Sequence, residues 1–310
     1  MAKYILKRLL SMVVVFFGVS VLIFTLLYFT PGDPARMILG DEATEEQILK
    51  LQDELGLNDS YIEQYGRFIG NALKGDLGVS YVTGRPVTQD ILSRFPTTIK
   101  LALLSTLVAV IIAIPLGVLS AIYQNKLIDN LSRIIGLFGV SMPQFWQAIL
   151  LIILFSLQLR WLPASGSYGW QYWILPSFTI GIHMASTILR ITRASMLDTL
   201  KNDYIMTARA KGTKEFWVIT RHALKNALIP IVTVLGLRFG NALSGSVIAE
   251  SIFALPGLGK LIVDAIKARD YPVVQASVFL ISISYCVINL AVDILYTYIN
   301  PQIKEQLRRK

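Results

Sequence analysis

The sequence predicts an all-α integral membrane protein with six transmembrane helices. Of its 310 residues, 54% are hydrophobic and 16% are charged, and the mean hydropathy is +0.57. Because soluble domains carry about 25% charged residues, this chain is too apolar for that class. Its apolar residues form long unbroken runs, which favour helices over the short alternating strands of a β-barrel.

Six apolar runs are long enough to cross a bilayer, since a hydrocarbon core of about 30 Å needs roughly 20 helical residues. The predicted spans are 9–29, 99–123, 134–157, 173–191, 227–253 and 278–299. The first run is longer than the apolar core of a signal peptide, and no small-residue cleavage site follows it before Pro31. We therefore expect a retained first helix and one transmembrane domain over residues 1–310.

The formal net charge is +9, and the distribution of the basic residues along the chain indicates the membrane topology. With the N-terminus inside, the inner segments hold Lys3, Lys7, Arg8, Lys126, Arg133, Arg190, Arg193, Lys201, Arg209, Lys211, Lys214, Arg221, Lys225, Lys304, Arg308, Arg309 and Lys310. Their acidic residues are Asp129, Asp198, Asp203, Glu215 and Glu305, whereas segment 31–96 carries Asp41, Glu42, Glu45, Glu46, Asp53, Glu54 and Glu63. The positive-inside rule then predicts cytoplasmic termini and an extracytoplasmic 31–96 segment.

The extracytoplasmic segment 31–96 is too long for a simple connection, so we expect helices within it. Thr44 and Gln47 have the spacing of a capping box, and the helix that they begin should end at Gly56. Ser60 and Glu63 repeat that spacing before a second helix, which should end near Gly75. The predicted helical cap could dock a partner or act as a lid packed on the spans.

The cytoplasmic segment 190–226 predicts a helix, a glycine turn and a second helix beneath the membrane. Asp203 can cap a short helix over 204–211, which Gly212 ends. Thr213 can begin a helix that continues into the fifth span. Spacings of four and three place Tyr204, Ala208 and Lys211 on one face. The alternative is a basic loop that lies on anionic lipid headgroups.

From the sequence we predict neither an enzymatic active site nor a nucleic-acid-binding site. Residues 256–260, Pro-Gly-Leu-Gly-Lys, resemble a phosphate loop only superficially, because its first glycine is missing and Leu261 replaces the hydroxyl residue. Two histidines and the single Cys286 predict neither a metal cluster nor a disulfide framework.

The basic residues of 190–226 are interleaved with apolar ones and lead into a span, which disfavours contacts with nucleic-acid phosphates. The span residues Arg238, Glu250 and Asp293 favour packing or pathway lining over a proton relay.

Along essentially its whole length the chain resembles the permease subunits of the dipeptide, oligopeptide and nickel branch of ABC importers. The shared motifs include Lys-Arg-Leu-Leu at 7–10, Pro-Gly-Asp-Pro at 31–34, Gly-Asp-Leu-Gly at 75–78 and Ser-Met-Pro-Gln-Phe at 141–145. The most specific match is Asp-Tyr-Ile-Met-Thr-Ala-Arg-Ala-Lys-Gly at 203–212, with Arg-His-Ala-Leu-Lys-Asn-Ala at 221–227. Met206 and Lys225 depart from the Glu-Ala-Ala opening and closing proline of other importer branches. At 300–302, Asn-Pro-Gln replaces the expected Asp-Pro-Arg.

This resemblance implies the type I ABC importer permease fold and transport of peptides. It implies a second related permease, two ATP-binding subunits and an extracytoplasmic substrate-binding protein, with ATP bound by the partners and no cofactor in this chain. The implied ATPase-coupling residues are Asp203, Tyr204, Thr207, Ala208, Arg209, Ala210, Lys211, Gly212 and Glu215. The fifth span offers Asn241, Ser244 and Ser246 as pathway lining. Nickel, a metal complex or another small solute is the alternative cargo. An ion-coupled carrier would instead predict inverted repeats, which the sequence does not suggest.

Overall fold

The computed structural model of the protein describes residues 2–40 and 42–299. Over this range the regular secondary structure is helical, apart from one isolated antiparallel bridge between Val79 and Pro86. It forms two compact units: an N-terminal unit of Ala2–Thr98 with Pro256–Cys286, and a central unit of Ile99–Leu255 with residues 287–299. The predictions for Asp41, for the motif at 300–302 and for the C-terminal charges lie outside the described residues.

Thirteen α-helices lie within the described residues. They are α1 (Ala2–Tyr28), α2 (Pro34–Leu39), α3 (Glu45–Leu55), α4 (Tyr61–Leu73), α5 (Val87–Ile122), α6 (Leu127–Ser141), α7 (Gln144–Leu151), α8 (Ile174–Leu200), α9 (Asp203–Ala210), α10 (Glu215–Trp217), α11 (Leu224–Ile252), α12 (Leu258–Lys267) and α13 (Tyr271–Ile299). Two π-helices, Ile152–Gln158 and Val218–Ala223, extend α7 and join α10 to α11. A 3-10 turn, Trp170–Trp173, precedes α8.

Five helical segments are each long and apolar enough to span a membrane: Arg8–Tyr28, Val87–Ile122, Trp170–Leu200, Glu215–Ser244 and Tyr271–Ile294. They match five of the six predicted spans. Large apolar side chains such as Val14, Leu22 and Ile111 are exposed on them. A lipid environment accommodates such side chains without protein cover. The all-α membrane fold class is therefore confirmed.

The predicted third span, 134–157, is not one straight helix. Instead α6 and α7 with its π extension form a bent pair, at an angle of 107°. The bend lies at Met142, whose backbone is extended (φ −82°, ψ 127°). Pro143 disfavours helical geometry in the residue before it and cannot donate a backbone hydrogen bond. Pro143 lies within a largely apolar run, so hydropathy alone predicted a single span there.

In the N-terminal unit α4 lies antiparallel along the second half of α1. The Tyr65 hydroxyl lies 2.9 Å from Ser20 Oγ, and the Tyr61 hydroxyl lies 2.7 Å from Thr25 Oγ1. Phe24 of α1 contacts both tyrosine rings edge-on. Both predicted capping boxes are present, at Thr44 with Gln47 and at Ser60 with Glu63, and Gly56 ends α3 with φ +64°. The predicted helices 44–56 and 60–75 are thus confirmed.

A buried carboxylate fixes the loop that precedes α5 in the N-terminal unit. Asp270 is 4% exposed and accepts hydrogen bonds from the Ser80 hydroxyl and from the Tyr81 backbone N–H, at 3.1 Å. Burial, with a further contribution from Asp270, raises the pKa of Tyr81 to about 12. The Tyr81 hydroxyl therefore stays protonated at neutral pH. Because the carboxylate belongs to the residue just before α13, the loop is tied to the start of that helix.

The core of the central unit is built around α8. This helix packs on α11, α6 and α7, and its side chains Ile188, Leu189 and Met196 are fully buried. Close approach is allowed by glycine, because a Cβ at Gly181 of α8 would lie 2.9 Å from the carbonyl oxygen of Ser105 in α5. Small residues at helix contacts are typical of packing within membranes.

Candidate functional site

The predicted cytoplasmic helix exists as α9, Asp203–Ala210, but its N-terminal cap differs from the prediction. Asn202 occupies the N-cap position with extended backbone, and its side-chain amide donates to the carbonyl oxygens of Asp198 and Thr199 in α8. Asp203 is instead the first residue of the helix. The prediction that Asp203 caps α9 is therefore wrong, although a carboxylate in the first turn interacts favourably with the helix dipole.

Gly212 ends this segment as predicted, in a left-handed conformation with φ +76°. Its N–H donates to the carbonyl oxygen of Arg209 at 2.9 Å, and the N–H of Thr213 donates to that of Ala208 at 3.3 Å. These two bonds form a Schellman motif, which satisfies carbonyls that the helix end would leave unpaired. The motif turns the chain sharply from α9 towards α10.

Two side-chain contacts brace α9 against the following helices. The Arg209 guanidinium donates to both carboxylate oxygens of Glu215, with Nε at 3.1 Å and Nη2 at 2.7 Å. This hydrogen bonding raises the pKa of Arg209 and lowers the pKa of Glu215, so it favours the ionised form of both groups. Asn226 Nδ2 donates to the Tyr204 hydroxyl at 2.9 Å and so links the start of α9 to α11. The predicted residues Arg209, Glu215 and Tyr204 thus hold the shape of the segment.

The two faces of α9 differ sharply in exposure. Ile205 is fully buried and Ala208 is 8% exposed, and both belong to the core cluster of the central unit. The helix packs on the π-helix Val218–Ala223 through this inner face. Ala208 therefore does not share an open face with Tyr204 and Lys211, because core packing takes it inward. The exposed residues of the segment are Asp203, Tyr204, Met206, Thr207, Arg209, Ala210, Lys211 and Gly212.

The predicted pathway residues of α11 separate into an exposed pair and a buried residue. Asn241 and Ser244 are exposed, and the Ser244 hydroxyl donates to the Asn241 carbonyl oxygen at 3.1 Å. Ser246 is fully buried, and its hydroxyl donates to the Leu243 carbonyl oxygen at 2.9 Å. Ser251 is also exposed. The helical spacing of 241, 244, 248 and 251 places it on the same stripe.

An ion pair between a buried carboxylate and a partly buried arginine in the central unit was also not predicted. Asp129 of α6 and Arg193 of α8 form two hydrogen bonds, at 2.7 and 2.8 Å. In the sequence both residues are recognisable only as charges of the inner segments. They lie 64 positions apart, so no local spacing could have joined them.

The remaining sequence candidates have structural placements. Gly257 is the N-cap of α12, and the N–H of Leu258 donates to Thr98 Oγ1 at 2.9 Å, so residues 256–260 begin a helix. Glu250 is fully buried, while Arg238 and Asp293 are partly buried. Over residues 2–40 and 42–299, no group of three or more His, Cys, Asp or Glu side chains could hold a metal ion.

Removing the hydroxyl in Tyr204→Phe should loosen α9 without unfolding it. One partly exposed hydrogen bond contributes about 0.5–1.5 kcal/mol, which corresponds to roughly 2- to 10-fold faster local opening. Hydrogen–deuterium exchange of the 203–210 amides in the purified protein measures this rate. Tyr168→Phe, at a side chain that is 93% exposed, should leave it unchanged. Equal exchange in both variants would show that the Tyr204 contact does not hold α9.

Comparison with known proteins assigns this architecture to a class. The family model described as "Binding-protein-dependent transport system inner membrane component" matches residues 113–305, and a companion N-terminal model of the same systems matches residues 1–102. The chain therefore belongs to the inner membrane components of binding-protein-dependent transport systems. Within that family it is a permease of the peptide, oligopeptide and nickel branch of ABC importers, as its motifs predicted.

The chain is similar along its whole length to curated permeases. It is 46% identical over 304 residues to the glutathione transport system permease protein GsiC of Escherichia coli, with 98% of this chain and 99% of the relative covered. The GsiC proteins of Shigella dysenteriae serotype 1 and Shigella flexneri serotype 5b match with the same identity and coverage.

Solved structures support the fold independently. The inward-facing MetNI methionine ABC transporter matches with a TM-score of 0.59 and 18% identity, over 67% of this chain and 95% of that chain. An amino acid ABC transporter determined with histidines matches with a TM-score of 0.52 and 18% identity, over 69% of this chain and 94% of that chain. At this identity the likeness concerns the fold alone. The permease fold of ABC importers is thus confirmed.

Proposed function

We propose that this chain forms half of the translocation pathway of an ATP-driven importer for short peptides, and that α9 couples it to a separate ATPase. The observation that carries the proposal is the construction of the α9 segment. A short helix is closed by the Gly212 turn, braced by Arg209 with Glu215 and tied to α11 by Tyr204. A segment fixed at both ends can transmit a displacement to the helices on either side of it.

The surface offered to the ATPase is the exposed face of α9. Thr207 and Ala210 are small and exposed, so a partner surface can approach the helix closely between them. Asp203 and Lys211 place opposite charges at the two ends of that face, which gives a docking partner a preferred orientation. Ala208 supports this surface from the buried side of α9, because its small side chain lets the helix lie against the π-helix Val218–Ala223.

ATP drives the change through differential affinity for two conformations of the pathway. A ligand shifts an equilibrium only by the difference between its affinities for the two states. ATP, bound by the partner subunits, would favour one ATPase arrangement and so one position of α9. Because α8 ends at Leu200 and α11 is tied to Tyr204, both helices receive that displacement. The exposed Asn241, Ser244 and Ser251 of α11 are the proposed pathway lining.

The proposed cargo is a short peptide, with the tripeptide glutathione as the first candidate. Support comes from the name of the permeases that are 46% identical over nearly the full length of both chains. An extracytoplasmic binding protein would select the cargo, and the pathway need only admit it. Nickel or another small solute is the second candidate cargo, because the branch of importers that this chain resembles includes nickel permeases as well as peptide permeases.

The proposed assembly contains a second related permease, two ATP-binding subunits and the substrate-binding protein. The proposed orientation has segment 190–226 and both termini in the cytoplasm and segment 31–96 outside, and the charge pattern supports it. The ATPases would then meet α9, and the binding protein would meet the helices α2 to α4. Cysteine-accessibility labelling of single cysteines at Thr207 and at Ile62, which are both exposed, tests this orientation in intact cells.

The coupling proposal predicts opposite results for two substitutions at Ala210. Ala210→Arg introduces a long charged side chain on the exposed face and should reduce the ATPase recovered with the tagged chain by about 5- to 150-fold, since overpacking costs about 1–3 kcal/mol. Ala210→Ser keeps the face flat and should retain the ATPase. Equal recovery with both variants, in membranes that hold equal amounts of the chain, would contradict the assignment of α9.

Uptake into cells that express the whole importer distinguishes the candidate cargoes. We expect accumulation of labelled glutathione that unlabelled glutathione competes for and nickel does not. Loss of accumulation in a strain that lacks this chain is the control. Nickel accumulation that ignores excess glutathione would overturn the peptide assignment and leave the permease assignment intact.

A further inference from the structure

The central unit contains a buried carboxylate at which three elements meet. Asp129 is fully buried and accepts four hydrogen bonds, two from Arg193. The other two come from Ser120 Oγ at 2.7 Å and from the backbone N–H of Asn125 at 2.8 Å. Arg133 lies farther away, at 3.7 Å, and is half exposed. A two-pronged guanidinium contact allows only one relative orientation of its partners.

The four residues of this contact connect the end of α5, the turn after it, α6 and the sequence-distant α8. Ser120 lies near the end of α5, and Asn125 lies in the turn after it with φ +62°. Asp129 is in the first turn of α6, whereas Arg193 is on α8 close to its junction with α9. The contact therefore ties the α5–α6 turn to the part of α8 that leads into the coupling segment.

Glycine packing brings the same helices into close contact near this pair. A Cβ at Gly117 of α5 would lie 2.6 Å from Thr192 Cβ of α8, and one at Gly139 of α6 would lie 2.0 Å from Ser186 Oγ. Glycine contacts of this kind fit tightly but add little direction of their own. One directional contact does join α6 and α8 there, because His183 Nδ1 lies 3.1 Å from the Gly139 carbonyl oxygen. The ion pair adds a two-pronged, charge-assisted contact at the opposite end of α6, in its first turn.

We propose that Asp129 and Arg193 are positioning residues which make α6 and the α5–α6 turn move with α8 as one body when α9 is displaced. This inference rests on the proposed role of α9. Without the pair, displacement of α9 would move α8 while α6 lagged behind. ATP hydrolysis would then continue with less cargo moved for each ATP.

A set of variants in the whole importer, reconstituted in liposomes, separates positioning from stability. Arg193→Gln leaves the buried Asp129 carboxylate without its ionic partner, and Asp129→Asn leaves the partly buried Arg193 without its own, so both should be less stable than wild type. The double variant removes both charges and should recover stability. We expect all three to transport between about 5- and 100-fold less cargo per ATP hydrolysed, the size of typical coupling effects. Arg133→Gln, at the distant and exposed arginine, should keep the wild-type ratio.

Recovery of both stability and the wild-type transport ratio in the double variant would overturn the proposal, because the pair would then be merely structural. A distance measurement gives a second, independent test. Spin labels at Leu127 and Lys201, both exposed, report the separation of α6 from the end of α8, in a complex whose Cys286 is replaced by serine. We expect one narrow distance distribution that ATP leaves unchanged in wild type and that broadens in Asp129→Asn.

A change of that distance on ATP binding in wild type would also overturn the proposal, because the two helices would then move separately. The outcome is distinguishable from failure of the proposed function. If α9 does not couple to an ATPase, Ala210→Arg and Ala210→Ser retain equal amounts of the ATPase. If only the positioning role is wrong, the ATPase is recovered and wild-type transport is intact.

Discussion

Gly212→Pro should reduce ATP-driven uptake by about 100-fold or more while the chain remains in the membrane. Gly212 has φ +76°, which proline cannot adopt, since its ring fixes φ near −65°. Proline also removes the N–H that donates to Arg209, so the Schellman turn is lost. If this disfavours the docked geometry of α9 by about 3 kcal/mol, the coupled population falls about 100-fold. Uptake of labelled cargo and co-purification of the ATPase measure it.

Gly212→Ala provides the matched control at the same position. A Cβ at Gly212 would meet nothing within 4 Å, so its cost comes only from the left-handed backbone, about 1–2 kcal/mol. We expect this variant to retain most of the ATPase in the complex and part of the uptake. Normal uptake with Gly212→Pro would show that the turn after α9 plays no part in coupling.

Features set by neighbouring residues could be predicted from the sequence. The capping boxes at Thr44 and Ser60, the left-handed glycine at Gly56 and the turn at Gly212 all depend on side chains and backbone groups within a few positions of each other. Their geometry is fixed locally, before tertiary packing contributes. The existence of α9, and hence the candidate site, followed from such signals.

Features set by packing could not be predicted in this way. A helix of two turns has too few residues for periodicity to define a buried face, so the inward position of Ala208 came only from contact with Val218–Ala223. The side-chain amide of Asn202 donates to carbonyl oxygens of α8, and Asn202 is the N-cap of α9 in place of Asp203. The contact between Asp129 and Arg193 depends on how α6 packs against α8. Counting the charges of the loops gives no information about that packing.

Asp270→Ala should destabilise the N-terminal unit more than any surface substitution in it. Its carboxylate is 4% exposed and accepts hydrogen bonds from the Ser80 hydroxyl and the Tyr81 N–H. Alanine would leave these buried donors unpaired, at a cost of about 2–4 kcal/mol. Faster proteolysis of residues 79–86 and a lower unfolding midpoint of the purified importer measure the effect.

Asp264→Ala is the control, because it removes a carboxylate from the same unit without leaving a buried donor. Asp264 is 51% exposed and pairs with Lys260 one helical turn away, at 2.6 Å. Exposed pairs of this kind contribute about 0–1 kcal/mol, so stability should change little. If the binding protein docks on the 31–96 segment, its affinity should fall in Asp270→Ala and not in Asp264→Ala, since only Asp270 holds the Ser80 loop in place. Equal stability of the two variants would mean that other contacts fix this loop.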